Sequence, residues 1–308
     1  MKSSAYCTFD EIHQNSGAGK VCQCEIKALQ KVSDLKCVVS RSEELKGFPL
    51  KTLNLDKWYS FNPYLYDYFA SRILPQDLDF LHLSCSPGLA ILDHCKPKKY
   101  VVNIVAHDLS VSIQEHEKYY GIGTYPFVHN IDQYLHKLLL QHTEKADCII
   151  TPSSSSASWI NENISNRKQV CIIPHGTDIP EEKDIKPISD KFVVGYLGAF
   201  GPDKGLPYLI LAWKYFNHPD SELIFAGNCG QSLQQDSIKK FFLDGVKNVK
   251  ISGWLDKVSD FYNNISVYIQ PSITEGFGIE ILEAMAYGRP VIASKGAGGA
   301  DVITDGVD

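Results

Sequence analysis

At 308 residues the chain is long for a single core, and two domains are the default. Apolar residues at 44% and charged residues at 21% describe an ordinary soluble globular protein. A net charge of −6 argues against nucleic acid as a partner and gives no general attraction to anionic membranes; the basic cluster Lys96-Pro97-Lys98-Lys99 reads as a solvated loop.

The nine cysteines are odd in number and follow no framework spacing, which suggests a reducing, cytoplasmic setting. Cys22 and Cys24 are two apart on a helical stretch and so point to different faces, and no second pair completes a zinc site. The first residues run directly into a strand-like segment, with no visible signal peptide. No apolar run reaches about 18 residues, so no transmembrane segment is expected, and any membrane contact would be peripheral.

Strand-like runs alternate with helical patterns, which argues for an α/β protein with parallel sheets. In the first half the strands read as residues 5–9, 37–40, 80–84, 100–106, 148–151 and 170–173. Helical patterns cover 21–32, 64–73, 126–145 and 155–164. After the first strand, His13-Gln14-Asn15-Ser16-Gly17-Ala18-Gly19-Lys20 opens a helix. A P-loop would need Gly at 14 and Ser or Thr at 21; the chain has Gln14 and Val21, so that reading fails. Asp77-Leu78-Asp79 precedes an apolar strand and reads as a turn, not as a metal site. Val105-Ala106-His107-Asp108 ends another strand. A histidine beside an aspartate at a strand end suits acid–base work or the holding of a hydroxyl, against the plainer reading of a structural histidine. His116, His129, His136 and His142 fall in or near helical patterns and read as structural or surface residues.

Residues 179–191 hold two prolines and seven charged residues with little apolar content, and read as an interdomain linker. The domains are therefore placed at 1–178 and 192–308. In the second, strands read as 192–197, 222–226, 249–252, 266–270 and 291–293, and helices as 206–216, 232–244 and 281–287. Two doubly wound domains in succession imply a central cleft, with ligands bound outside the carboxyl ends of the strands.

Two loops at such strand ends carry chemistry. Gly195-Tyr196-Leu197-Gly198-Ala199-Phe200-Gly201-Pro202-Asp203-Lys204-Gly205 ends a strand in glycines and sets a lysine at the next helix start, where it could act as a point charge on a diphosphate. Taken alone it also fits a simple turn with Lys204 in solvent. Glu275-Gly276-Phe277-Gly278-Ile279-Glu280-Ile281-Leu282-Glu283 puts two carboxylates eight positions apart around a Gly-Phe-Gly turn, before a helix that stops at Gly288. Glycines let backbone approach a ligand, and N–H groups at a helix start favour an anion. Sugar hydroxyls around a phosphate fit that set.

The segment Pro271-Ser272-x-x-Glu275-Gly276-Phe277-Gly278-x-x-x-x-Glu283-Ala284-x-Ala286-x-Gly288-x-Pro290 resembles the GT4 (group 1) family of retaining glycosyltransferases of the GT-B fold. Supporting blocks are Ile173-Pro174-His175-Gly176-Thr177-Asp178, Lys204-Gly205, and Ala146-Asp147-x-Ile149-Ile150-Thr151-Pro152-Ser153. The resemblance implies two Rossmann-like domains facing a central cleft, an N-terminal acceptor domain and a C-terminal donor domain. It implies transfer of a sugar from a UDP- or GDP-linked donor to a glycan, lipid or small-molecule hydroxyl, with no cofactor and no metal. Catalytic roles fall on His107, Asp108, Glu275 and Lys204. Donor contacts fall on Gly17, Gly19, Gly198, Lys204, Gly205, Gly253, Trp254, Glu275, Gly276, Phe277, Gly278, Ile279 and Glu283, with Glu283 on the ribose and Glu275 on the sugar.

Two departures bear on this. The family's arginine after the first strand of the donor domain is replaced by Ala199, and the family continues with another strand and helices beyond Asp308, so the chain reads as truncated. Both favour an alternative, a nucleotide-sugar binding protein or inactive fragment. A GT-B epimerase acting on the nucleotide sugar alone is the second alternative.

Overall fold

The computed structural model describes residues 1–8, 12, 17–40, 50–52, 63–84, 88–105, 109–120, 140–165, 169–227 and 243–307. The strands are β1 (Ser3–Thr8), β2 (Asp34–Ser40), β3 (Leu50–Thr52), β4 (Phe80–Ser84), β5 (Lys99–Asn103), β6 (Cys148–Thr151), β7 (Gln169–Ile172), β8 (Phe192–Leu197), β9 (Ser221–Ala226), β10 (Val249–Gly253), β11 (Val267–Gln270) and β12 (Val291–Ala293). The helices are α1 (Gly17–Val32), α2 (Pro63–Ile73), α3 (Leu89–Cys95), α4 (Leu109–Tyr120), α5 (Ser154–Asn163), α6 (Leu206–Phe216), α7 (Val258–Asn264) and α8 (Ile279–Ala286). Among the described residues no helix is long and apolar enough to cross a membrane.

The chain divides into two units, Met1–Ala106 with Pro126–Ile173, and His107–Tyr125 with Pro174–Asp308. In the first, seven parallel strands lie in the order β3-β2-β1-β4-β5-β6-β7. Side chains alternate across a strand, so Ala5, Cys7, Val39, Leu81, Leu83, Val102 and Ile149 enter one core. Tyr6 and Val38 enter the other, against Cys22 and Ile26 of α1. Burial on both faces is what a parallel sheet requires. On the α1 side, Tyr6 Oη donates to Glu25 Oε2 at 2.5 Å and Asn103 Nδ2 donates to Glu25 Oε1, which satisfies three polar groups between helix and sheet.

Two short polar devices fix this unit. Buried Asp67 on α2 accepts from the N–H groups of Ala90 (2.8 Å) and Ile91 (3.2 Å), so it caps α3 from a distance. Asp79 accepts from the Ser3 N–H at 2.8 Å and from Lys98 Nζ at 2.8 Å; the Lys98 and Ser3 bonds hold its carboxyl at about 2. This is turn chemistry at the start of β4, in agreement with the sequence.

In the second unit, five parallel strands lie in the order β10-β9-β8-β11-β12. Val194, Tyr196, Leu223 and Phe225 pack against Leu206, Leu209, Ile210 and Trp213 of α6 on one face. Val193, Leu197, Tyr268 and Val291 pack against Phe261, Tyr262, Ile281 and Ala284 on the other. The order changes direction between β8 and β11, so the carboxyl ends of those two strands form the switch point of this sheet.

The contacts divide the chain differently from its composition. Residues 179–191 are bound into the second unit. The Lys186 N–H donates to Asn263 Oδ1 (2.8 Å), and Asn263 Nδ2 donates to the Asp184 carbonyl (2.9 Å). Arg289, 3% exposed, donates to the carbonyls of Tyr262 (2.7 Å) and Lys186 (2.5 Å). Polar composition hides this, because the bonds run through backbone groups that every sequence carries. Helix α4 also groups with the second unit. Lys118 Nζ donates to Tyr208 Oη at 2.6 Å and lies 5.1 Å from the centre of that ring, while Tyr208 Oη donates to Glu115 Oε2 at 3.3 Å.

Most elements fall within a few residues of their sequence positions. Helix α1 starts at Gly17, four residues ahead of the apolar pattern. Strand β5 ends at Asn103, short of residue 106. Strand β3 and helices α3, α4 and α7 carry too short or too polar a pattern to be read. The helical readings over 126–145 and 232–244 lie mostly outside the described residues.

Candidate active site

Parallel strands bring their carboxyl ends to one edge. In the second unit that edge gathers the loops after Leu197, Gly253, Gln270 and Ala293, with Gly227 at the end of β9. The loop after β8 runs through a 3-10 turn, Pro202–Lys204, and then Gly205 in the left-handed region (φ 72°) before α6. A Cβ on Gly205 would lie 1.9 Å from the Pro271 carbonyl oxygen. Only glycine allows both that conformation and that approach. The crossing is sealed by the Ile273 N–H, which donates to the Asp203 carbonyl at 2.8 Å. Gly198 and Gly227 approach as closely: a Cβ on Gly227 would meet the Gly198 oxygen at 2.2 Å.

The loop after β11 is held from its other side. The Glu275 N–H donates to the Gly296 carbonyl (2.9 Å) and the Gly298 N–H donates to the Glu275 carbonyl (2.9 Å). The Gly299 N–H donates to the Phe277 carbonyl at 2.6 Å. Gly278 (φ 84°) then turns the chain into α8. The Phe277 ring is 1% exposed and packs edge-on to His175, with ring centres 4.9 Å apart. It serves the core, so a ligand here meets backbone and not the phenyl ring.

These constraints bring Lys204 to Glu275: Nζ donates to Oε2 at 2.7 Å, with Asp203 Oδ2 at 3.8 Å. Burial works against the Lys204 ammonium, but Glu275, Asp203 and Glu280 outweigh it and raise its pKa. The Glu280 carboxyl, in the first turn of α8, is pushed up to about 7 by burial and then by the Glu275 charge. Glu283, one turn further, is 7% exposed and accepts from Tyr262 Oη at 2.9 Å. Beneath the loop, Tyr268 Oη bonds the Leu197 carbonyl (3.1 Å), and Gln270 Nε2 donates to Ser272 Oγ (2.8 Å).

Gly198, Lys204, Gly205, Gly253, Trp254, Glu275, Gly276, Phe277, Gly278, Ile279 and Glu283 thus lie along one sheet edge. Gly253 closes β10 with φ 68°, its carbonyl accepts the Gly227 N–H (2.8 Å), and Trp254 beside it is 58% exposed. Ala199 brings no cation to the edge; its carbonyl accepts from Tyr196 Oη at 2.6 Å. Gly17 and Gly19 occupy the first turn of α1 in the other unit. His107 and Asp108 lie outside the described residues. His142 is a buried structural histidine: Nδ1 bonds Tyr100 Oη at 2.5 Å, and burial, aided by Lys145, lowers it to about 3.

Sequence reading missed Asp203, Glu280 and Tyr262 as members of this edge. Asp203 and Glu280 stood inside the motifs that carried the reading. Tyr262 left no signal, since only the packing of α7 against α8 brings it to Glu283.

Residues 178–308 match the family model for glycosyl transferases group 1. A capsular polysaccharide biosynthesis glycosyltransferase, CapM of Staphylococcus aureus, is 33% identical over 128 residues, which is 41% of this chain and 34% of that protein. A lipopolysaccharide 1,2-N-acetylglucosaminetransferase of Salmonella typhimurium is 26% identical over 179 residues, 52% of this chain and 47% of that protein. The chain therefore spans less than half the length of these curated relatives. Among solved structures, Anabaena HepE in complex with UDP and glucose superposes with a TM-score of 0.68 at 17% identity, covering 100% of this chain and 84% of that one. WaaG, a glycosyltransferase involved in lipopolysaccharide biosynthesis, gives 0.70 at 15% identity, covering 98% and 84%.

Proposed function

We propose that this chain, whose fold is GT-B, is a group 1 glycosyltransferase that moves a sugar from a nucleotide-diphosphate donor to an acceptor hydroxyl with retention of anomeric configuration. The observation that carries the reading is the Lys204–Glu275 pair, held at a sheet switch point between a glycine loop and the start of α8. Lys204 is the cation for the leaving diphosphate, with backbone N–H groups at the start of α8 as further donors. Preorganised charge of this kind is commonly the largest contribution to such a reaction. In the free protein Glu275 keeps Lys204 in place. A donor phosphate competes for the ammonium and leaves Glu275 for the sugar hydroxyls. Glu283, oriented by Tyr262, takes the ribose hydroxyls. Gly253 and Trp254, at the end of β10, are assigned to the donor base through their backbone. The roles of Gly17, Gly19, His107 and Asp108 rest on the family resemblance alone.

The step needs no protein nucleophile in this reading. The bond from the anomeric carbon to the phosphate oxygen breaks, the acceptor oxygen attacks from the same face, and the departing phosphate oxygen takes the acceptor proton. Lys204 supplies the charge that a metal would otherwise bring. HepE, with UDP and glucose bound, makes UDP the first donor nucleotide to try. The relatives that act in capsular polysaccharide and lipopolysaccharide synthesis favour a glycan or lipid-linked acceptor. The free thiols among the described residues fit a reducing, cytoplasmic setting.

The test is a thermal-shift screen of UDP, GDP and ADP and their sugars, followed by transfer from a radiolabelled donor. A ligand at 100 times its Kd adds about 2.7 kcal/mol of stability. Absence of any nucleotide-dependent shift would overturn the reading. Ala199 at the family's arginine position favours one second reading, a binder without turnover; binding with no label leaving the donor would select it.

A further inference from the structure

Cys148 and Cys171 face one another with their sulfurs 3.9 Å apart. In register, Cys148 of β6 stands opposite Gln169 and Cys171 of β7 opposite Ile150. The two thiols therefore share one face of the sheet, two positions apart along adjacent strands. The intervening pair, Ile149 and Val170, is also in register and packs into the core on the other face. Neither thiol is fully buried. Strand β7 is the last in the described sheet and is bonded to β6 alone. The chain leaves it at Ile172 and enters the second unit at Pro174.

From this geometry we propose that Cys148 and Cys171 form a reversible dithiol–disulfide site, oxidised by a small-molecule disulfide of the glutathione class. A disulfide bond is about 2.05 Å long, so the sulfurs must close by roughly 2 Å; residues two positions apart on adjacent strands start with their Cα atoms wider apart than a disulfide spans, so the edge strand β7 has to shift toward β6 as the bond forms. The chemistry is two successive exchanges. One thiol loses its proton, and its thiolate attacks glutathione disulfide, forms a mixed disulfide and expels one glutathione thiolate. The second thiol then loses its proton and attacks the protein-side sulfur, forming the Cys148–Cys171 bond and expelling the second glutathione. The protein loses two electrons and two protons, and one glutathione disulfide becomes two glutathiones. The product staples the edge strand to the sheet at the point where the chain crosses between units. Burial, followed by the neighbouring Cys171, raises the Cys148 thiol to about 11, so its thiolate is scarce near neutrality and closure accelerates with pH.

The experiment takes the full reduced chain, incubates it with excess glutathione disulfide at pH 7 and pH 9, blocks remaining thiols and maps tryptic peptides without reduction. Cleavage at Lys145, Arg167, Lys168 and Lys183 puts the two cysteines in separate peptides. The expected result is one cross-linked 146–167/169–183 species, formed faster at pH 9, together with a glutathione adduct on exposed Cys24 as an internal control. C148S and C171S each lose the cross-link and carry glutathione on the remaining partner. The oxidised wild type melts at higher temperature than the reduced, a gain that neither variant shows. Cys148 and Cys171 left open to alkylation while Cys24 is modified, or both carrying separate glutathiones, would overturn the proposal.

Discussion

Lys204 Nζ lies 2.7 Å from Glu275 Oε2, although 71 positions separate the two residues in the chain. Each sits on a loop at the carboxyl end of its own strand, β8 or β11, and those strands are neighbours. Their ion pair is about one-fifth exposed on either side, 22% and 23%, so it is screened less than a surface pair and is sensitive to loss of one member.

Replacing Lys204 by Ala leaves the Glu275 carboxylate without its cation. Expected are a loss of about 1–3 kcal/mol of stability, the usual cost of an unsatisfied partly buried group, and a fall in turnover of about 10²–10³, the range for one lost charge-stabilising donor. Calorimetry and a donor-turnover assay check the two separately. A variant with normal turnover would remove Lys204 from the diphosphate.

Glu280 makes stability depend on pH. Its folded pKa, about 7, lies above the ordinary 4.5, so the folded protein holds more protons than the unfolded chain between those values. Stability from this group is full below pH 4.5, falls as pH rises toward 7, and is level above. Glu280→Gln keeps a neutral side chain throughout. The melting temperature of the variant relative to the wild type should therefore rise between pH 4.5 and 7.5; a constant difference would contradict the shift.

Tyr262→Phe removes the hydroxyl that donates to Glu283. A buried carboxylate then loses a partner, at a cost of about 1–3 kcal/mol. Nucleotide affinity should fall as well, since Glu283 is no longer oriented, and titration with UDP measures it. Glu283→Ala should weaken UDP binding more than Tyr262→Phe, and full affinity in Glu283→Ala would end the ribose assignment.

Gly205→Ala tests the crossing of the two loops. The new Cβ would stand 1.9 Å from the Pro271 carbonyl at a φ of 72°. The backbone must move, at a cost of about 1–3 kcal/mol or more. UDP binding should drop with the melting temperature, whereas Gly245→Ala, also at positive φ (70°) but with nothing within 4 Å, should show the conformational penalty alone.

The alternation of apolar strands and helices was legible in the sequence because burial on both faces of a parallel sheet demands long apolar runs, as in 80–84 and 192–197. The Glu275–Glu283 block and the Lys204 loop were legible because glycine spacing encodes backbone that must turn left-handed or pass close to another chain. Helices α3, α4 and α7 were not, since seven to twelve residues of mixed polarity carry no stable period. Residues 179–191 read as an interdomain linker, and the hydrogen bonds that tie the Lys186 backbone to Asn263 and Arg289 leave no trace in side-chain composition.

The sequence by itself determined the residue types at the site, their order, and the loops on which they ride, all of which follow from local backbone preference and hydrophobic period. Only the tertiary structure decided who pairs with whom. The proximity of Lys204 to Glu275, of Tyr262 to Glu283 and of Cys148 to Cys171 depends on strand order and helix packing. These are settled by burial of the whole sheet and not by any segment's own chemistry.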